Sequence, residues 1–279
     1  MKNVLLTLIF LTFAAGAAHS QFLLPEDFFP HKGDNLNLHL LSGESFGKGQ
    51  EQKFDPKRTA KVLLLDGGKP NDLTSLIKLG EVSTVNAKLE SAGVAMLAVV
   101  EQSADDIDRK EFINYLTNAG QDKAVDGLKQ FQQSFRLKST NILKTLVAVE
   151  KNGGGVQEKP LKEDYEIILK QNPYKGSYGD DVTGVLLFKG EPIKSEKVTL
   201  IIRSPRGVEF PQLLATDEKG LFYFKLSREG TYMLQSLHME PAKDQTLDFE
   251  SWQTSFTFAF SSNNTMPNTY KEFGLGNMH

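Results

Sequence analysis

The 279-residue chain contains no cysteine. That excludes disulfides and thiolate metal sites, and it leaves histidine and carboxylates as the strong side-chain metal ligands. Net charge is also nearly absent, with 32 Lys+Arg against 35 Asp+Glu. So mild a balance gives no electrostatic footprint for nucleic acid or anionic lipid. Tryptophan occurs once, at Trp252, so no flat aromatic binding surface is readable. Past the first 18 residues no run is apolar and long enough to cross a bilayer, which takes roughly 20 residues. H-E-x-x-H and a phosphate loop are both missing, and with them the usual signatures of metalloprotease and nucleotide chemistry. A non-enzymatic role is the expectation.

What is present starts at the N-terminus. Lys2, an apolar run over residues 4–13 broken only by Thr7 and Thr12, and the small residues Ala14, Ala15, Gly16, Ala17 and Ala18 form the three parts of a secretory signal. Residues 1–18 are therefore expected to be removed and the mature protein to be periplasmic or secreted. Cleavage before His19 and cleavage before Gln21 both satisfy the small-x-small rule. The first leaves a terminal histidine whose amine and imidazole can chelate one metal ion; the second removes His19.

The rest of the chain reads as mainly β. Leu36, Leu38 and Leu40 alternate with Asn35, Asn37 and His39, which is the period of a half-buried strand. Residues 60–65, 94–100 and 142–149 are also strand-like. A helical insertion is expected near 104–135. Its start is read at Ser103-Ala-Asp-Asp106, its stripe at Ile107, Phe112, Tyr115 and Leu116, and a second helical stretch over 122–134. From 173 to 262, short β segments at 182–188, 198–202, 221–226, 231–238 and 255–260 are separated by short turn-rich stretches, the pattern of a β-sandwich. The expected organisation is two sandwich-like domains, 19–172 and 173–262, with a flexible tail at 263–279.

Several blocks carry a resemblance. Val185 to Ile193, Val198-Thr-Leu, Thr216-Asp-Glu-Lys-Gly-Leu-Phe-Tyr-Phe224 and Gly230-Thr-Tyr resemble a transthyretin-like or carboxypeptidase-regulatory-like sandwich. More widely, His19-Ser-Gln-Phe-Leu-Leu-Pro25, Lys32-Gly-Asp34, Gly43-Glu-Ser-Phe46, Phe112 to Leu116, Ile142 to Val147, Asn172-Pro-Tyr174, His238-Met and Trp252 to Phe258 are similar, in order, to a large exported family of unknown function. That family includes periplasmic accessory proteins of nickel or cobalt uptake. Phe22 departs from the tryptophan usual in its opening motif. The resemblance implies an exported β protein, and as partner a metal transporter or outer-membrane receptor.

The candidate metal ligands are His19 and His238, since both lie in these blocks. The ion would be a divalent transition metal: Ni, Co, Cu or Zn. Glu44 and Glu240 are candidate completing carboxylates. His238 also reads as a hydrogen-bonded histidine between two sheets. His39 is expected on the exposed face of its strand, His31 in solvent and His279 in the tail. Asp66-Gly-Gly68 and Asn152-Gly-Gly-Gly155 read as turns, and Trp252 as core or the wall of a shallow pocket. The leading function is metal binding or metal-uptake assistance; the alternative is a cell-envelope module that recognises a protein or glycan.

Overall fold

The computed structural model describes residues 20–266 apart from 68, 79, 119, 120 and 122–124. The expected signal peptide, His19 and His279 lie outside the described residues. The chain first lays down β1 (Gln21–Pro25), β2 (Asn35–Ser42), β3 (Gln50–Gln52), β4 (Thr59–Leu65), β5 (Asn71–Asp72) and β6 (Thr84–Lys88). Two long strands follow, β7 (Gly93–Asp108) and β8 (Ser134–Val149), with helix α1 (Arg109–Asn118) between them. Then come β9 (Tyr165–Leu169), β10 (Asp181–Phe188), β11 (Glu191–Pro192), β12 (Lys197–Arg203) and β13 (Glu209–Ala215). β14 (Leu221–Lys225), β15 (Gly230–Pro241) and β16 (Phe249–Phe260) complete the fold.

The strands make three sheets. An eight-stranded sheet has the order β13-β12-β15-β16-β8-β7-β4-β5. Its β16 and β8 run parallel, which brings the last strand of the chain beside one from its first half. Strands β1, β2, β3 and β6 form a second sheet, and β9, β10, β11 and β14 a third.

Alternation along the strands gives the eight-stranded sheet two apolar faces. Trp252, Phe256, Phe258 and Phe260 of β16 point to one face, with Ile142 and Leu146 of β8; the β9/β10/β14 sheet covers them with Tyr165, Leu186, Phe222 and Phe224. Ala259, Met233, Leu143 and Leu97 point to the other face, where Leu23, Leu36, Leu38 and Val85 cover them. The architecture is therefore mainly β and sandwich-like, as the sequence implies, with one long sheet as the shared middle layer. It draws strands from both sides of the 172/173 junction.

The helical insertion begins later than the sequence suggests. Residues 103–108 continue β7 and pair with 134–139 of β8, Ser103 opposite Ser139 and Asp108 opposite Ser134. Ser, Ala and Asp have weak strand preference, but pairing to a long partner overrides it. The acidic cap exists, displaced to Asp108, whose carboxylate accepts the Glu111 N–H at 2.9 Å. Phe112 and Leu116 of α1 then pack on Ile107, Phe135 and Leu137 in a small separate core at the end of the hairpin. Of the second expected stretch, residues 127–132 are turn and irregular backbone and 134 already belongs to β8.

Candidate functional site

His238 sits near the end of β15, opposite Trp252 of β16. On its other side the β12 register pairs Thr199 with Gln235. Three residues further along each strand, Glu196 therefore stands opposite His238. The geometry confirms it: His238 Nδ1 lies 2.7 Å from Glu196 Oε1. Nε2 lies 3.4 Å from Glu240 Oε1. The ring packs against Phe188 with centroids 4.4 Å apart, and against Trp252 and Tyr165 at 6.0 Å each.

A two-residue turn completes the rim. Phe188 pairs with Glu191, so Lys189 and Gly190 form the hairpin loop, with φ of 53° and 86°. Positive φ at both positions is the type I′ geometry, which costs little for glycine and more for lysine. The turn holds Lys189 Nζ 4.4 Å over the Phe188 ring, 4.9 Å over Trp252 and 3.6 Å from Glu240. The Trp252 indole N–H donates to Asp164 at 3.3 Å. Trp252 is thus buried core beneath the rim.

Burial disfavours the charged imidazolium of His238, but the hydrogen bonds and charges of Glu196 and Glu240 outweigh it, and its pKa is raised from the ordinary value. Glu196 fixes the ring through Nδ1 and turns Nε2 toward Glu240. A carboxylate bonded to one ring nitrogen orients the other as a metal ligand. The two carboxylates stand on opposite nitrogens, so they do not converge on one point. Among the described residues no group of three or more His, Asp or Glu is arranged to hold a metal ion.

The strand that follows His19 lies on the far side of the sheet. Gln253 Nε2 donates to Gln21 O at 3.1 Å and Thr257 Oγ1 to Leu23 O at 2.8 Å. Both donors alternate with Trp252 and Phe256, so β1 covers the face opposite His238. Glu44 makes an exposed ion pair with Lys48 at 3.6 Å.

His39 corrects an expectation. It is 1% exposed, although its strand neighbours Asn35 and Asn37 mark a polar face. Its Nδ1 lies 2.6 Å from Glu51 Oε1 and its Nε2 3.2 Å from Glu26 Oε1. The sequence shows the polar alternation but not the two carboxylates from β3 and the end of β1 that enclose the ring. His31 is exposed, as expected.

Two further features escape sequence reasoning. Lys144 and Glu166 form an ion pair at 2.6 Å with both side chains 1% exposed. Lys144 interrupts the largely apolar 142–149 stretch of β8, which is the only signal available. Gln157 is buried with its Oε1 unpartnered, beside a cavity at the start of β10.

A family model described as Domain of unknown function (DUF4198) matches residues 16–240. The chain belongs to the DUF4198 family. The match spans His39, Glu196, His238 and Glu240 and stops before Trp252. No curated protein matches this DUF4198 chain. Among solved structures it is similar to a two-fibronectin-type-III-domain segment of chicken tenascin, at 12% identity over 85% of this chain and 97% of that one, TM-score 0.22. It is also similar to three N-terminal domains of the highly immunogenic outer capsid protein of bacteriophage RB49, at 8% identity over 85% and 69%, TM-score 0.20. No helix among the described residues is long and apolar enough to cross a membrane.

Proposed function

We propose that the chain is an exported, non-enzymatic accessory protein that handles a divalent transition metal, nickel or cobalt in particular, with copper and zinc as chemical rivals. The observation that carries this reading is His238, whose Nδ1 is fixed by Glu196 and whose Nε2 faces Glu240 at the rim. Two protein ligands are fewer than a resident metal needs, and they suit an ion in transit. Water and a partner, a metal transporter or an outer-membrane receptor, would supply the rest. A metal at this point displaces Lys189 from Glu240 and leaves Glu196 as the outer carboxylate. His19 belongs to the reading as a separate chelator, present only if processing stops before it.

The test is isothermal titration of the purified chain with Ni(II), Co(II), Cu(II) and Zn(II). Saturable binding lost in His238→Ala and weakened about tenfold or more in Glu196→Gln is expected. Wild-type titrations indistinguishable from those of His238→Ala for all four ions would refute it.

A second reading, an envelope module that recognises a protein or glycan, is favoured by β13. This strand is the edge of the eight-stranded sheet, and Leu213 is 69% exposed on it. It requires partner binding that survives chelator and is lost in Leu213→Asp.

A further inference from the structure

At the start of β10 lies a cavity of about 540 Å³, between residues 154–158 and 171–182. Gln157 lines it and is 2% exposed; its Nε2 donates to Glu158 Oε1 at 3.3 Å, while its Oε1 has no donor. A buried acceptor left unpaired is a standing free-energy cost that a ligand's N–H removes.

Three carboxylates share the lining. Asp180 Oδ2 accepts the Ser177 N–H at 2.7 Å, Asp181 Oδ1 accepts from Lys225 Nζ at 2.7 Å, and Glu158 Oε1 takes the Gln157 amide. Each keeps its second oxygen without a hydrogen bond. The amides are largely spent: Gln171 Oε1 accepts the Thr183 N–H, and Asn172 bonds the Tyr174 N–H and Asn152 O. Lys175 is the one cation in the lining. Three acids against Lys175 and the Lys225 that pairs with Asp181 leave a net charge of −1, with free acceptors in excess of free donors. Pro173, Val182 and Leu226 add an apolar wall.

We propose that this cavity receives an arginine side chain from an extended segment of a partner protein. A guanidinium offers five N–H donors in a planar fork, keeps its charge at any working pH and engages carboxylate oxygens two at a time. Its methylene stem lies along the apolar wall. Free arginine fits less well, because its own α-carboxylate would meet an acidic rim. The cavity adjoins Asp181 at one end of β10 and the His238 cluster adjoins Phe188 at the other. Seven residues of strand separate them by roughly 23 Å, so the two readings stand or fall separately.

The experiment titrates the full chain with the capped tripeptide acetyl-Ala-Arg-Ala-amide, its citrulline counterpart and free arginine. The arginine peptide binds saturably, and the neutral citrulline peptide, which keeps the shape but not the charge, binds about tenfold more weakly or worse. Glu158→Gln weakens the arginine peptide by a similar factor. Lys175→Ala, which removes the rival cation, tightens it. Unchanged thermal unfolding of both variants excludes loss of fold. Equal affinity for arginine and citrulline, absence of saturable binding, or indifference to Glu158→Gln overturns the proposal. Tighter binding of free arginine than of the peptide overturns the partner segment.

Discussion

Replacing Glu166 by glutamine should be among the most damaging single changes in the molecule. Lys144 Nζ lies 2.6 Å from Glu166 Oε2 and donates also to Ile167 O at 3.1 Å, with both partners 1% exposed. Glutamine keeps the shape and an acceptor oxygen but removes the negative charge. The ammonium of Lys144 then stays buried without its hydrogen-bonded counter-charge, a change that costs about 3–5 kcal/mol. That is a large share of the ~5–15 kcal/mol that holds a typical domain folded. The converse variant, Lys144→Met, should cost less, because Glu166 keeps two backbone donors, the N–H groups of Leu161 and Glu163, both at 2.8 Å. The pH dependence gives an internal check. Burial lowers the Lys144 pKa, and Glu166 opposes the shift. With Glu166 gone only the weaker pull of the Glu163 charge opposes burial, and the folded state sheds its proton before the unfolded one does. Between the lowered pKa and the ordinary 10.5, stability of Glu166→Gln therefore rises with pH. Urea unfolding followed by circular dichroism at neutral and alkaline pH measures both effects. A loss below about 1 kcal/mol at neutral pH, of the size seen for exposed pairs, would show that water reaches the pair and would refute this account.

The remaining predictions concern pH and packing. His238 has a raised folded pKa, so its ion pairs add stability that is complete below the unfolded value of about 6.5 and is lost as pH rises through the folded value. Thermal unfolding against pH should show that slope in the wild type and a flatter one in Glu196→Gln; identical slopes count against the pair. Gly184→Ala places a Cβ 2.1 Å from Cζ of the fully buried Phe222 and should cost about 3 kcal/mol in chemical denaturation. Gly153→Ala meets nothing within 4 Å and should stay within about 0.5 kcal/mol of wild type.

The strands were legible wherever one face is apolar and the other polar. Leu36, Leu38 and Leu40 fall in one core, and Phe256, Phe258 and Phe260 in the other. Period two encodes burial directly, so no tertiary information is needed. It failed where pairing, not composition, decides the backbone. Residues 103–108 are poor strand formers, yet they continue β7 because β8 offers a sixteen-residue partner. His39 failed for a related reason. Its place on the polar face follows from the alternation, but its burial comes from Glu26 and Glu51 on flanking segments.

The site at His238 shows the same boundary between local and non-local information. Glu240, two residues away, was within reach of sequence reasoning; Glu196, 42 residues away, was not, because only the β12–β15 register sets it opposite the ring. The parallel pairing of β16 with β8 has a larger consequence. It makes one sheet the floor of two sandwiches, so the strand after the expected cleavage site and the candidate ligand His238 end on opposite faces of the same layer. A sheet interior admits no path between its faces, and two residues span at most about 7 Å. Glu196 and Glu240 flank His238 on one side of the layer, whereas Glu26 and Glu51 enclose His39 on the outward face of the second sheet, which alternation with Leu38 and Leu40 turns away from that layer.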